Sequence, residues 1–304
     1  MRSGRPNRSV QTAYAKRQRL GTDAVLTLRD GRALSYRKFG DPAAPLLLYL
    51  GGLLSSRLEP EIFYDNRFFI VGVDRPGYGG SDFNPIQTAQ TFADDIADLV
   101  SHLGRRSCAI FAFSGGVVFS LAIAACHPDL VTRVGGFAGL SPPGSVTLPE
   151  CYIARFPRFV ARPFGLKAQT AWRCLLYCLP AGLLRGALII NPREHRMNKH
   201  ALTTPVIRTL KSSFREALRK GWAGLQFDLR LCMTDWGGFD PRHVRAPVFL
   251  FHGRDDKITP DVCTSWYERS LPHCTARYFP GETHLSVPLL HGREMFDLLA
   301  RNTG

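Results

Sequence analysis

The sequence predicts an α/β protein: a mostly parallel sheet with helices on both faces, carrying a helical insertion. Three observations predict it. Apolar runs of about six residues end in glycine-rich turns, as strands buried on both faces do. Those runs alternate with stretches long enough for crossover helices. The alternation breaks at Ser141-Pro142-Pro143-Gly144 and resumes at Val248, which sets off residues 141–242 as an inserted cap. Such an insertion would lie over the carboxyl ends of the strands, where open α/β sheets bind ligands.

The elements follow in order. Ala24–Leu28 and Ala33–Phe39 flank Asp30-Gly31, a hairpin signal. Pro45–Leu50 and Phe68–Val73 read as buried strands. Over residues 89–104, Phe92, Ile96, Leu99, Val100 and Leu103 recur at helical spacing and Gly104 ends the helix. Residues 108–126 carry no charge over 19 positions, close to the length of a membrane span. Phe113-Ser114-Gly115-Gly116 interrupts them with the residues of a sharp turn. The reading is therefore strand Cys108–Phe113, turn, and helix Gly115–Cys126, with no transmembrane segment. Val131–Phe137 is a further strand. Within the insertion, Ala168–Cys178 and Thr209–Leu229 are the clearest helices. Strand Val248–His252, helix Asp261–Leu271, strand Ala276–Phe279 and a helix near residues 285–301 complete the pattern.

Charge is unevenly spread. The formal net charge of the 304 residues is +14. Six basic and no acidic residues precede Asp23, and residues 141–242 hold sixteen Lys or Arg against six Asp or Glu. The first 22 residues read as a basic, disordered leader, with a mitochondrial import segment as the second reading. Cytoplasmic location is the expectation, mitochondrial the alternative. The basic insertion would suit an anionic substrate or peripheral contact with an anionic membrane; a solvated arginine-rich surface is the plain alternative. No zinc-finger, RNP or basic-zipper pattern accompanies the charge, so nucleic acid is not an expected partner. Eight cysteines without a CxxC pair give no zinc signature and read as buried free thiols. Nothing in the sequence speaks to oligomeric state.

Phe111–Gly116 carries the chemistry. Ser114 stands between Ala112 and Gly116, between an apolar strand and an apolar helix. This is the pattern of a nucleophile elbow, where only small neighbours tolerate so tight a turn. Four more segments occur in the order seen in the α/β-hydrolase superfamily, which the chain resembles from residue 24 to about 300. LLLYLGGLLSSRLE is similar to its oxyanion loop, VGVDRPGYGGSD to its Asp-Arg-Pro-Gly turn, FLFHGRDDKITP to its acid segment, and FPGETHLS to its base segment. REALRKGWAGLQFDLRLCMTDWGGFD further resembles the cap end of a large hydrolase group, where Trp236 and Phe239 would pack cap onto core.

The resemblance implies a catalytic triad of Ser114, Asp256 and His284, with Asp255 as fallback acid and His273 and His291 as competing histidines. It implies an oxyanion hole from the backbone N–H groups of Gly115 and Leu53. Gly51 stands where the family usually has a bracing His, which puts the rigidity of that loop in question. Asp74, Arg75 and Gly79 read as structural, fixing their turn. Phe113 is expected at the substrate pocket; Phe156, Phe159 and Trp172, with Leu175 and Leu176, could line an acyl pocket or form the cap's own core. No metal or organic cofactor is implied.

The expected function is hydrolysis of a carboxylic ester or thioester of a small-molecule substrate through an acyl-enzyme. Cleavage of a carbon–carbon bond beside a ketone, cleavage of an amide, and a binding or biosynthetic scaffold are the alternatives. An Asp nucleophile, as in epoxide hydrolases, is excluded by Ser114 at the elbow.

Overall fold

The computed structural model describes residues 21–147, 200–233, 236 and 238–301. Eight strands form one sheet: β1 (Thr22–Thr27), β2 (Ala33–Phe39), β3 (Leu46–Leu50), β4 (Phe69–Val73), β5 (Cys108–Phe113), β6 (Val131–Phe137), β7 (Val248–Gly253) and β8 (Cys274–Phe279). Their spatial order is β1-β2-β4-β3-β5-β6-β7-β8. β1 pairs with β2 and β2 with β4 in antiparallel fashion, and every other pairing is parallel.

The described helices are α1 (Ala89–His102), α2 (Gly116–Cys126), α3 (Thr204–Ala217), α4 (Ala223–Met233), α5 (Val262–Ser270) and α6 (Ser286–Leu299). All five residues of β3 are buried because the sheet is covered on both sides. Leu46, Leu48 and Leu50 join the core beneath α1 and α2. Leu47 and Tyr49 point the other way, into the core beneath α6 with Phe111, Met295 and Phe296. α1 begins at a reciprocal cap in which Thr88 and Thr91 satisfy each other's backbone amides, and it buries Phe92, Ile96, Leu99 and Val100. α2 is apolar all round and buried along most of its length.

The chain leaves β3 for β4 on one side and returns for β5 on the other. The sheet's switch point therefore lies between β3 and β5, and the place where open α/β sheets bind ligands is outside the carboxyl ends of these strands.

The single helix expected over Thr209–Leu229 is two helices, separated at residues 218–222. Apolar spacing continues across the break through Leu218 and Leu225, both buried, and hides it from a periodicity reading. Gly221 at φ +115° is the backbone residue that permits the turn. Trp236 packs as expected of it, stacked on Tyr267 of α5 at 6.3 Å and on Phe239 at 5.8 Å. The helix read at Ala168–Cys178 and the first 20 residues lie outside the described residues.

Candidate active site

Ser114 is the hinge between β5 and α2. It sits at φ +54°, a left-handed conformation that costs a non-glycine residue about 1–2 kcal/mol and lifts its side chain above the sheet. Its amide is tied to the Phe137 carbonyl of β6 at 2.8 Å. Gly116 is required next door, because a Cβ there would overlap the Leu50 carbonyl of β3. The strand end and the helix start can approach only with hydrogen at that position.

Asp256 follows β7 in a tight loop and is buried. Its Oδ1 accepts the amides of Ile258 at 2.8 Å and Thr259 at 3.0 Å, and its Oδ2 accepts the Thr259 hydroxyl at 2.9 Å. His284 follows β8 and places Nδ1 2.7 Å from Asp256 Oδ2 and Nε2 3.1 Å from Ser114 Oγ. Burial opposes the Asp256 charge, but the nearby His284 and hydrogen bonds from His252 and His284 outweigh it. The carboxyl is held well below the usual carboxylate range. An ionised Asp256 fixes the proton on Nδ1 and leaves Nε2 free to accept from the Ser114 hydroxyl.

His252 braces this arrangement from behind. Its Nε2 donates to the Thr259 carbonyl at 2.8 Å and lies 3.4 Å from Asp256 Oδ2, and its Nδ1 meets the Thr264 hydroxyl at 2.7 Å.

The loop after β3 lies against the serine. A Cβ on Gly52 would stand 3.0 Å from Ser114 Cβ, and one on Gly115 would stand 3.7 Å from the Leu53 side chain. Among the described residues, neither the Leu53 nor the Gly115 amide has an acceptor. Both N–H groups are thus unspent, that of Gly115 next to Ser114 in the chain and that of Leu53 next to Gly52, which lies against Ser114.

Gly51 takes the place of the expected bracing His for a steric reason. A Cβ at position 51 would overlap Ser55 Oγ and stand 2.8 Å from Glu59 Oε2. Ser55 donates to that carboxylate at 2.5 Å, Tyr49 at 2.8 Å, and Ser213 of α3 donates to the other oxygen at 3.0 Å. Three hydroxyls around one buried Glu hold the loop from below. Arg75 holds it from the side, donating to the Gly51 carbonyl at 2.6 Å and the Gly52 carbonyl at 2.7 Å. Sequence reasoning assigned Arg75 to its own turn. The partner that aims it, Asp228 on α4 at 2.6 Å, went unseen. The one available signal was an Asp set directly between two apolar residues, Phe227 and Leu229, on a helix.

Asp74 accepts the Arg57 amide, the Arg57 guanidinium and the Gly80 amide, so it secures its turn as read. Asp255 and His273 are exposed, and His291 stacks on Phe279 at 3.8 Å; none reaches Ser114. Phe113 is half-buried with its ring 4.9 Å from that of His284. Phe156, Phe159, Trp172, Leu175 and Leu176 lie outside the described residues. Cys232 lies near Gly115, but burial pushes its thiol up to about 12, so it is no rival nucleophile. Among the described residues no cluster of His, Cys, Asp and Glu could hold a metal ion, and no helix is long and apolar enough to cross a membrane.

The model of the alpha/beta hydrolase fold family matches residues 45–287. The chain belongs to this family. It is an enzyme of the hydrolase class. This α/β hydrolase is 36% identical over 266 residues to the 2-(acetamidomethylene)succinate hydrolase of Mesorhizobium japonicum, covering 80% of the chain and 82% of that protein. It is 26% identical over 242 residues to the pimeloyl-[acyl-carrier protein] methyl ester esterase of Nitrosomonas europaea, covering 76% and 82%. It is 31% identical over 305 aligned positions to epoxide hydrolase 3 of Mus musculus, covering 91% and 77%.

Proposed function

We propose that this hydrolase is a serine esterase that cleaves a carboxylic ester or thioester through an acyl-enzyme. Ser114 Oγ attacks the carbonyl carbon while His284 Nε2 takes its proton, and Asp256 orients the ring and stabilises the imidazolium. The Gly115 and Leu53 amides receive the oxyanion. His284 then protonates the leaving alkoxide or thiolate as the tetrahedral intermediate collapses. Water, deprotonated by the same ring, releases the acid. The observation that carries the reading is the continuous path from Ser114 Oγ through His284 to Asp256, at 3.1 and 2.7 Å, on a serine in left-handed backbone. A serine in this role argues against the epoxide-opening route of an Asp nucleophile. Residues 141–242 would form the cap over this site, and their basic excess favours an anionic substrate.

One observation favours a second reading. The most identical of the three relatives acts, by its name, on an acetamide that carries a succinate skeleton. The same triad would serve amide cleavage, and two carboxylates would suit a basic cap.

Burst kinetics with p-nitrophenyl acetate and butyrate, with fluorophosphonate labelling, test the proposal. Wild type labels and turns over, and Ser114→Ala does neither. A folded wild type that is inert in both assays refutes it. Rates on a carboxylate-bearing ester that equal those on its neutral analogue at low salt remove the anionic preference.

A further inference from the structure

Arg75 is more fully engaged than a turn-forming residue needs to be. It is 3% exposed and its guanidinium lies 5.0 Å from the Tyr78 ring centre and 4.9 Å from that of Phe119. Nε goes to Asp228, which is wholly buried, and Nη1 and Nη2 go to two consecutive carbonyls, Gly51 and Gly52. The planar fork makes this possible, since a fixed Nε aims the two outer nitrogens in set directions.

The Gly52 carbonyl and the Leu53 N–H belong to one peptide plane. In a trans peptide they point to opposite sides. Gripping Gly52 O therefore turns the Leu53 N–H away from Arg75, on a loop whose Gly52 backbone already abuts Ser114. The next residue, Leu54, stands at φ +61°, so the loop carries strain that an unbraced backbone would relax. The grip also polarises the peptide: a cation on its oxygen makes its N–H a stronger donor.

We propose that Arg75, aimed by Asp228, is a positioning residue for the oxyanion hole, setting the Leu53 N–H toward the tetrahedral intermediate. The inference rests on the acyl-enzyme reading above. It assigns to α4 a part in catalysis, since the residue that aims the arginine lies 153 positions away and outside the strand–turn elements that carry the triad. A purely structural pair would tie α4 to the sheet and leave turnover alone.

The deciding variant is the double substitution Arg75→Met with Asp228→Leu, which removes the buried charges together and so preserves folding better than either alone. Its circular dichroism and thermal midpoint are compared with wild type, then kcat, KM and the rate of fluorophosphonate labelling. The expected result is a folded protein with kcat lowered about 100-fold, the scale of losing one oxyanion donor. KM stays within about threefold, because ground-state binding does not use the donor, and labelling slows in the same proportion as kcat. A folded double variant with wild-type kcat overturns the proposal. If the double variant does not fold, Arg75→Lys decides. Its ammonium keeps the charge beside Asp228 but cannot span two carbonyls, so kcat falls about tenfold at unchanged KM, and an unchanged kcat overturns the proposal. Wild type and Ser114→Ala run in parallel. If wild type neither labels nor turns over, the acyl-enzyme reading itself has failed, whatever the Arg75 variants do.

Discussion

Thr259 donates to both oxygens of the Asp256 carboxylate, its amide 3.0 Å from Oδ1 and its hydroxyl 2.9 Å from Oδ2. The same hydroxyl lies 3.1 Å from His284 Nδ1 and within reach of the Ala138 carbonyl. It thus stands at the corner where the acid, the base and the end of β6 meet. Thr259→Val should cost about 1–3 kcal/mol of stability, because buried acceptors lose a donor without gaining water. It should lower kcat/KM roughly tenfold as Asp256 holds the imidazole less firmly. Thermal melts and steady-state kinetics on one preparation check both.

The depressed Asp256 pKa makes stability depend on pH with a defined sign. A carboxyl more acidic in the folded state than its ordinary value of 3.8 adds stability that is fully present above that value. The addition is lost as pH falls from there toward the folded value. Wild type should therefore melt above Asp256→Asn at neutral pH, and the gap should close progressively below pH about 4. A gap that stays constant to pH 2.5 would show that the carboxylate's charge contributes nothing to folding. At neutral pH the same variant should lose about 10⁴-fold in kcat, since an amide holds the wrong tautomer of His284.

Strain at Ser114 can be separated from chemistry. Ser114→Ala and Ser114→Gly both remove the hydroxyl, but only Gly relaxes at φ +54°. The Gly variant should be the more stable of the two inactive proteins by about 1 kcal/mol, visible in urea melts. Equal stabilities would mean that the elbow's backbone is not under load.

Gly51→Ala, the smallest step toward the residue the family usually carries there, should cost about 1–3 kcal/mol through overpacking against Ser55. It should reduce kcat as well, since the displaced Ser55 loosens its bond to Glu59 and with it the loop that presents Leu53. Retained stability and rate together would contradict the steric account of Gly51.

Much of this was legible in the primary structure. Strands buried on both faces left uninterrupted apolar runs, so β3, β4 and β5 appear within a residue of where the sequence puts them. Ser114, Asp256 and His284 stand out because each sits at a strand end in a turn of small or polar residues, in a fixed chain order. The braces of the loop after β3 were not legible. Arg75 and Asp228 look ordinary in their own neighbourhoods, and only folding shows that they meet. Ser213 reads as a polar helix residue until Glu59 is found beside it. The break between α3 and α4 was hidden for the opposite reason: local periodicity ran on through it while Gly221 turned the backbone.

The loop after β3 takes its braces from Ser213 and Asp228, which the ribosome delivers long after the loop itself. A nascent chain that has emerged through β6 already contains the elbow, but Glu59, Arg57 and Arg75 still lack partners on α3 and α4. Of these, Arg75 alone then lacks its counter-charge, since Arg57 already has Asp23 and Asp74, and Glu59 has the Tyr49 and Ser55 hydroxyls. A buried guanidinium without its carboxylate is poorly tolerated, so the loop stays unbraced on this side until α4 is made. Bracing of the loop beside Ser114 is in this way deferred until α4 is in place. A truncated product released before α4 would carry Ser114 beside an unbraced loop and would lack Asp256 and His284 as well.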